Sequence, residues 1–313
     1  MKATAAGYCC IFNYQHGQST FPVKYPNGTG FEMGLTVLLN SSNSDYFYTE
    51  RSTHGFAVQL FDVNNFPDAS TGEVQEFFIT PGEDVDVELM ITTQMTTPEV
   101  YGYSAAKRHC YFADEHAQEY GVTYSKAQCL SQCKIRNILA LCDCVPYYAP
   151  HELIDLNQTL VYCTLAHTEC LQRYSVTWNT YRTMEHGMSE VLQKELQDSL
   201  KCPNCLPLCT FNSYRYKKLS SKLSRRQNSY RDNKIFETID NLDGISLVKF
   251  YFPSMYSMQY HKNVIYNWYQ ILSNIGGVTG ICMGCSIISG FEIIYFIGFR
   301  YFENIVKLRS GKK

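Results

Sequence analysis

The sequence has no excess of charge of either sign, because 27 basic residues nearly balance 29 acidic ones and the formal net charge is −2. This balance gives no electrostatic reason to expect nucleic acid as a partner. The chain also lacks a phosphate-cradling glycine loop, an HExxH pair and a GxSxG elbow, which mark common catalytic sites. These absences argue against an enzyme, and no cofactor or metal is expected.

Charge is missing altogether from one long stretch, because no Asp, Glu, Lys or Arg occurs from Asn263 to Phe291. A helix of this length would span roughly 43 Å, against a hydrocarbon core about 30 Å thick. A buried core helix is the alternative, but such helices seldom exceed about 20 residues without a polar face. The stretch therefore predicts a membrane span, tilted or broken.

The flanking charges indicate an orientation for this span. Basic residues gather on the cytoplasmic side of membranes, so we predict a cytoplasmic C-terminus and an extracellular region before the span. The first residues contain neither a convincing signal peptide nor a long apolar run. Either the late helix directs translocation alone or an upstream membrane segment is missing, and we favour the second interpretation. The basic residues after the span are Arg300, Lys307, Arg309, Lys312 and Lys313.

Cysteine is abundant in the region placed outside. Ten of the fourteen cysteines lie between Cys110 and Cys209, which favours a disulfide framework in an oxidising compartment. Zinc is the alternative, because Cys142-Asp-Cys144 and Cys202-Pro-Asn-Cys205 have short spacings, although structural zinc sites usually pair two CxxC knuckles. Three glycosylation sequons are compatible with an extracellular location without requiring it: Asn27, Asn40 and Asn157.

Strand patterns occur on both sides of the cysteines. Residues 34–39 and 55–61 are rich in strand formers, and 245–252 predict a strand before the membrane. Residues 84–91 alternate with period two, which predicts a half-buried antiparallel strand whose acidic face is solvated surface rather than a cation site. The basic residues of 215–234 indicate a solvated segment rather than a partner-binding patch.

Helical patterns occupy residues 106–210, between the cysteines. Ser125-Lys-Ala-Gln128 resembles a capping box, and the helix after it would carry Cys129 and Cys133 on one face. Apolar residues recur at three- and four-residue intervals over 182–200, which predicts a second helix. If the two helices are antiparallel, the cysteines of the first lie near the Cys-Pro-Asn-Cys pair that follows the second.

Glycines recur every four residues within the uncharged stretch, at Gly276, Gly280 and Gly284. One interpretation is close helix packing. The other is a pore-lining helix whose backbone opens beside water, so that its carbonyls replace an ion's hydration shell. The spacing alone favours packing. Glu292 favours the pore, because a carboxylate inside an apolar span usually faces a bundle interior or an aqueous path.

This stretch resembles the second transmembrane helix of the degenerin/epithelial sodium channel family, which includes acid-sensing channels. Gly284-Cys285-Ser286 matches the Gly-x-Ser filter tract of that family, and Gly276-Gly277-x-x-Gly280 and Glu292 also match. The ten residues from Phe291 are most similar to the insect pickpocket branch. Upstream, Gly7-Tyr-Cys-Cys-Ile-Phe-Asn resembles a family motif of the β-rich core.

The resemblance implies an α+β fold with a β-rich extracellular palm and ball, a disulfide-rich helical thumb and one transmembrane helix in this chain. The expected divisions are 1–105 for the β-rich core, truncated at its N-terminus, 106–212 for the thumb, 213–262 for the return to the core and the pre-membrane segment, 263–299 for the pore-lining helix and 300–313 for the cytoplasmic tail.

The resemblance also implies nested disulfides in the thumb. Cys9 is expected to be unpaired, because its usual partner lies in a part of the family fold that this chain lacks. Cys282 and Cys285 are expected to stay reduced. The implied pairs are Cys110–Cys209, Cys129–Cys205, Cys133–Cys202, Cys142–Cys170 and Cys144–Cys163.

The implied function is a subunit of a trimeric, amiloride-sensitive, sodium-selective channel in the plasma membrane. Its partners would be sodium ions, the lipid bilayer and homologous subunits, in a homo- or heterotrimer. Gly284, Cys285 and Ser286 would form the filter, and Ser273 matches the degenerin position, where a bulky side chain is expected to hold the pore open. The other pore-associated residues are Asn274, Gly276, Gly277, Gly280 and Glu292.

Two departures from the family pattern qualify this expectation. Cys285 stands where the family commonly has Ala or Ser, which could shift selectivity because a thiol is a weaker hydrogen-bond donor. After Cys170 the chain has no carboxylate matching the thumb of acid-sensing members, so proton gating is not expected. The alternative function is a single-pass, disulfide-rich receptor or adhesion module without conduction.

Overall fold

The computed structural model describes most of the chain in two units. Contacts within the chain separate Met1–Lys262 from Asn263–Lys313. The first unit combines β-sheets with a disulfide-rich helical region, which confirms the predicted α+β class for these elements. The described residues are 1–14, 22–42, 46, 52–115, 124–149, 161–182, 198–224, 236, 239, 242–284 and 286–310.

In the described residues, the first unit contains three short strand pairs and one larger sheet. The paired strands are β1 (Lys2–Thr4) with β2 (Gly7–Cys9), β4 (Phe56–Leu60) with β5 (Gln75–Ile79), and β7 (Tyr181–Arg182) with β8 (Leu200–Lys201). The larger sheet consists of β3 (Leu35–Asn40), β6 (Glu83–Thr96), β9 (Phe211–Lys222), β10 (Ile245–Tyr251) and β11 (Met258–Lys262).

Strand β6 is the centre of the larger sheet. It pairs antiparallel with β9 from Glu83↔Lys222 to Gln94↔Phe211, and parallel with β10 and then β11 on its other side. The strand predicted over 84–91 is therefore confirmed, but the sheet is mixed rather than antiparallel. The parallel partners come from a distant part of the chain, so no local pattern reveals their direction.

The apolar face of β6 forms the core of the β-structure. Val85 and Val87 are fully buried and pack with Phe77 and Ile79 of β5 and with Val248 of β10. The burial of such side chains contributes about 1.5–3 kcal/mol each. The period-two pattern in the sequence thus identifies the inward face of this strand correctly.

The strands predicted at 34–39, 55–61 and 245–252 are also confirmed, as β3, β4 and β10. Gly34 precedes β3 where the chain runs directly beside β10. A Cβ atom at Gly34 would collide with the carbonyl oxygen of Phe250, so this position requires glycine for close backbone approach.

The first part of the basic segment 215–234 belongs to β9, a strand that the sequence pattern did not predict. Arg215, Lys217 and Lys222 are nevertheless exposed there, in agreement with the predicted solvated character. Lys218 lies 3.3 Å from Glu83 of β6, and Lys217 lies 3.4 Å from Glu88. The ring of Tyr216 packs against Phe77 at a centroid distance of 4.7 Å. Cross-strand charge pairing therefore accommodates the basic residues in a sheet. The rest of the segment, residues 225–234, lies outside the described residues.

The helical region contains α1 (Ala105–Arg108), α2 (Lys126–Cys142), α3 (Thr168–Arg173) and α4 (Ser175–Asn179). The N-cap of α2 is confirmed, because Ser125 Oγ accepts a hydrogen bond from the Gln128 amide at 3.1 Å. The reciprocal half of the predicted capping box is wrong. The Gln128 side chain is buried and has no hydrogen bond within the described residues.

The second predicted helix, over 182–200, is wrong at both ends. Arg182 belongs to β7 and Leu200 to β8, and these strands pair in parallel. Residues 183–197 lie outside the described part of the chain. Leu200 is nevertheless buried against Trp178 and the cysteines, so the apolar pattern correctly indicated packing at this end.

Five disulfides brace the helical region, and they join the same cysteines as the family resemblance implies. The two cysteines of each bond are separated by 19 to 99 residues in the sequence. Zinc is excluded at the CxC and CxxC pairs, because all four of these cysteines are in disulfides. Within the described residues, the free thiols are those of Cys9, Cys10 and Cys282. The five bonds are Cys110–Cys209, Cys129–Cys205, Cys133–Cys202, Cys142–Cys170 and Cys144–Cys163.

A buried polar cluster joins α2 to the loop between β4 and β5. The Lys134 ammonium lies 3.1 Å from the Asp68 carboxylate and donates to Ser70 Oγ at 3.0 Å. The side chains of Lys134 and Asp68 are 8% and 3% exposed. Burial, reinforced by the Asp68 carboxylate, raises the pKa of both Tyr148 and Tyr181 above their ordinary value.

We expect Lys134→Met to lower the free energy of unfolding by about 3 kcal/mol, because it leaves the Asp68 carboxylate buried without its cation. Thermal unfolding of the purified full-length protein measures this effect. The control is Lys126→Met, which breaks the one-third exposed pair with Glu73 and should cost no more than about 1 kcal/mol. Equal losses in the two variants would contradict the expectation.

Stability should also fall in alkali. In the unfolded chain, tyrosines ionise at about pH 10. In the folded protein, Tyr148 and Tyr181 keep their protons to higher pH. The contribution of these two tyrosines to the free energy of unfolding is therefore fully present below about pH 10. It is lost as the pH rises toward their folded-state pKa values. Replacing either residue by Phe should flatten this decline in midpoint temperature. The exposed Tyr256→Phe control should retain the wild-type slope.

Candidate pore segment

The first helix of the second unit is α5 (Trp268–Met283), which is capped at its N-terminus. The Oε1 atom of Gln270 accepts a hydrogen bond from the Asn267 amide at 2.9 Å. This contact satisfies a donor that the first turn of a helix leaves open. Sequence reasoning placed the start of the uncharged stretch at Asn263 and missed this cap, although Asn followed by Gln three residues later indicates one.

Helix α5 ends at Gly284. This residue has φ +62° and ψ 16°, in the left-handed region, and its amide donates to the Gly280 carbonyl at 3.1 Å. Glycine adopts this conformation without the steric cost that a Cβ atom imposes. The backbone therefore leaves the helix at the first residue of the Gly-x-Ser tract.

A new helix, α6 (Ile287–Ile294), starts three residues later. Ser286 is its N-cap, and the Ser286 Oγ accepts from the Ser289 amide at 3.3 Å. A π-helix follows over Tyr295–Arg300, and α7 (Tyr301–Ser310) completes the described part of the unit. The Gly-x-Ser tract thus provides a helix stop and a helix start in succession.

The single transmembrane helix expected over 263–299 is therefore replaced by shorter helices. Within the described ranges, no helix combines the length and the apolar character needed to cross a membrane. The sequence predicted a span that is tilted or broken, but it gave no signal for the π-helical turn. Its residues share the apolar and aromatic composition of the flanking helices, so composition does not distinguish the two hydrogen-bond patterns.

The residues predicted to form the pore are distributed along this unit. Ser273 and its neighbours lie on α5, before the break, and Glu292 lies on α6, after it. Gly284 and Ser286 flank the break itself, and Cys285 lies outside the described residues. The α5 positions are Ser273, Asn274, Gly276, Gly277 and Gly280.

The surface of α5 around Gly276 and Gly277 is open. A Cβ atom at Gly276 or Gly277 would meet no atom within 4 Å in the described structure. Large apolar side chains are also uncovered, including Ile281 at 89% exposure and Trp268 at 75%. An apolar surface of this kind is typical of a contact with lipid or with other protein segments.

The remaining site expectations concern the first unit. Asn27 and Asn40 are both exposed, and Asn157 lies outside the described residues. No group of three or more His, Cys, Asp or Glu residues suited to a metal ion occurs in the part of the chain that the structure describes.

Comparison with known proteins decides the family. The profile described as "Amiloride-sensitive sodium channel" matches residues 2–296, which include nearly all of the first unit and the larger part of the second. This chain belongs to the amiloride-sensitive sodium channel family. The family is one of ion channels and not of enzymes.

Relatives of this chain include insect and vertebrate members of the family. Pickpocket protein 28 of Drosophila melanogaster is 27% identical over 294 residues, which cover 91% of this chain and 44% of that protein. Pickpocket protein 11 of the same species is 26% identical and covers 92% and 48%. The human epithelial sodium channel subunit beta is 21% identical and covers 90% and 42%. The chain thus spans less than half the length of these relatives.

We expect Ser286→Ala to loosen the first turn of α6, because an N-cap serine stabilises a helix by about 1 kcal/mol. Hydrogen exchange of the Ser289 amide, measured in the full-length protein in lipid nanodiscs, should accelerate by about fivefold. Thr279→Val is the control, since within the described residues the Thr279 hydroxyl donates to the carbonyls of Ile275 and Gly276 in its own helix. Unchanged exchange at Ser289 would contradict the cap.

Proposed function

We propose that the chain forms part of a subunit of a trimeric, amiloride-sensitive, sodium-selective channel in the plasma membrane. The observation that carries this proposal is the interruption of the helix at Gly284 and Ser286. It coincides with the tract that resembles the filter of the family, inside a segment that the family profile covers. Gly284, Cys285 and Ser286 form the selectivity filter in this proposal.

The chemistry of such an interruption suits a cation. A helix that ends leaves its last carbonyl groups without partners inside the helix. Carbonyl oxygens of this kind can replace part of the hydration shell of an ion. Three copies of the tract around an axis would form a ring of oxygens, and the small residues on both sides would leave room for the backbones to approach.

The composition of the second unit supports a place in the bilayer. Exposed aromatic residues occur at the start of α5, at Trp268 and Tyr269, and again around Tyr295 and Tyr301. Aromatic residues concentrate at the two membrane interfaces. Arg300 then begins the basic tail, so the C-terminus is cytoplasmic and the disulfide-rich region is extracellular. Residues 263–299 together form the pore segment, as a succession of helices.

The first unit is the extracellular part in this proposal. Residues 1–105 and 213–262 correspond to the β-rich palm and ball, and residues 106–212 correspond to the thumb. Five disulfides within 110–209 are compatible with an oxidising extracellular environment. Asn27, Asn40 and Asn157 are the proposed glycosylation positions.

Side-chain size controls the gate at Ser273. Three copies of a small residue can lie close together at a constriction, whereas three large side chains cannot pack there. Asn274, Gly276, Gly277 and Gly280 continue the same helix toward the filter, and Glu292 follows the filter. The assembly contains homologous subunits, either three copies of one chain or a mixture.

We expect the full-length product of the gene encoding this chain to carry an amiloride-sensitive sodium current in Xenopus oocytes. Ser273→Phe should raise the basal current several-fold, since bulky side chains prevent closure. Leu272→Phe is the matched control, because it enlarges a residue that is already bulky at the adjacent position. Surface labelling normalises the currents.

Two results would contradict the proposed function. One is the absence of current from wild type and Ser273→Phe at normal surface expression, with or without co-expressed family members. The other is an equal current increase in both Phe variants, which would show that the effect is not specific to position 273 and would contradict the assignment of Ser273 to the gate. Surface expression without conduction under all conditions would favour the receptor or adhesion alternative.

A further inference from the structure

Lys262 occupies the last position of the first unit, at the end of β11. Its backbone is held by the central strand, because β11 pairs in parallel with β6 as far as Lys262↔Thr96. The Lys262 carbonyl also accepts a hydrogen bond from the Thr97 amide at 3.0 Å. The strand is thus fixed to its final residue.

The side chain of Lys262 makes a second attachment. Its ammonium group donates a hydrogen bond to the carbonyl oxygen of Arg108 and lies 3.8 Å from Cys110 Sγ. Neither acceptor carries a formal charge. The contact is therefore a charge-assisted hydrogen bond rather than an ion pair. Its strength depends on the position and orientation of the Lys262 side chain.

The carbonyl of Arg108 is a firmly positioned acceptor. His109 adopts a left-handed conformation with φ 54°, which ends α1. The Arg108 side chain is buried and folds back on the same turn, where it donates to the carbonyls of Cys110 and Tyr103, each at 2.8 Å. Its guanidinium group also lies 4.9 Å from the centre of the Phe112 ring.

Cys110 is equally constrained, because it forms the disulfide with Cys209 that closes the helical region. The Cys209 amide donates to the Tyr111 carbonyl at 2.7 Å, and the Cys209 carbonyl accepts from Thr96 Oγ1 at 2.5 Å. Lys262 therefore contacts the helical region at a point that is held by a disulfide and by several hydrogen bonds.

The other side of Lys262 leads directly to the pore segment. Five residues, 263–267, separate it from the first residue of α5. We propose that Lys262 is a positioning residue that ties the chain entering the pore segment to the Cys110–Cys209 end of the helical region, and so transmits movements of that region to the gate. This inference rests on the proposed function and assigns a regulatory contact to it.

The test compares three substitutions in the full-length protein. Lys262→Met keeps the unbranched shape and most of the length of the side chain but removes the donor. Lys262→Arg keeps a cationic donor of similar reach. His261→Met is the matched control, because it alters an exposed residue of the same strand.

The electrical readout is basal current as a fraction of the current of the same variant carrying Ser273→Phe, at equal surface expression. We expect Lys262→Met to change this fraction at least threefold, with Lys262→Arg and His261→Met within twofold of wild type. The reversal potential should not move, because the filter is untouched. A wild-type fraction in Lys262→Met would overturn the proposal. If Lys262→Met does not reach the surface, Lys262→Leu, which also lacks a donor, replaces it with the same expected outcomes.

A second readout does not depend on conduction. Hydrogen exchange of the Thr97 amide, which donates to the Lys262 carbonyl, should accelerate at least fivefold in Lys262→Met and not in His261→Met. Unchanged exchange would overturn the proposal even if currents changed. If wild type and all variants carried no current, the proposed function would fail, and exchange alone would decide whether Lys262 holds this strand end.

Discussion

The antiparallel ladder between β6 and β9 is the interaction on which the rest of the first unit depends. It runs through twelve residue pairs, and the whole disulfide-rich region is inserted between its two strands. The chain leaves the sheet after Thr96 and returns at Phe211, directly beside its point of departure. Cys110–Cys209 joins the two ends of the insertion near the end of this ladder. The helical region is thus a closed loop whose base the sheet defines.

Covalent and non-covalent interactions stabilise different parts of this arrangement. The disulfide rings restrict the unfolded chain, and the largest ring, with a separation of 99 residues, restricts it most in the chain-entropy account. All five bonds lie inside the insertion. The contact of α2 with the β4–β5 loop therefore depends on side chains, among which Lys134 and Asp68 are the most deeply buried charges. The interior of the insertion is covalently fixed, whereas its attachment to that loop is reversible.

The parts of this fold that sequence could predict are those governed by local periodicity. Alternation at Val85 and Val87 identified the inward face of β6, and Ser125 identified the start of α2. Strand direction could not be predicted, because β10 and β11 reach β6 after long excursions. The basic strand β9 was missed because Lys217 and Lys218 find partners on Glu88 and Glu83, which lie more than a hundred residues away. At the candidate pore, the residue types were evident but the order of helices was not, and the break is explained by Gly284 and Ser286 acting as a stop and a start.

The left-handed residue at Gly284 has a mechanical consequence. A continuous helix behaves as a stiff rod, so torsion applied at one end reaches the other. The hydrogen-bond pattern of α5 ends at Gly284, and Ser286 caps the first turn of a separate helix, α6. Rotation of the part that carries Ser273 need not rotate the part that carries Glu292. The break therefore allows α5 to turn about its own axis without imposing the same turn on α6.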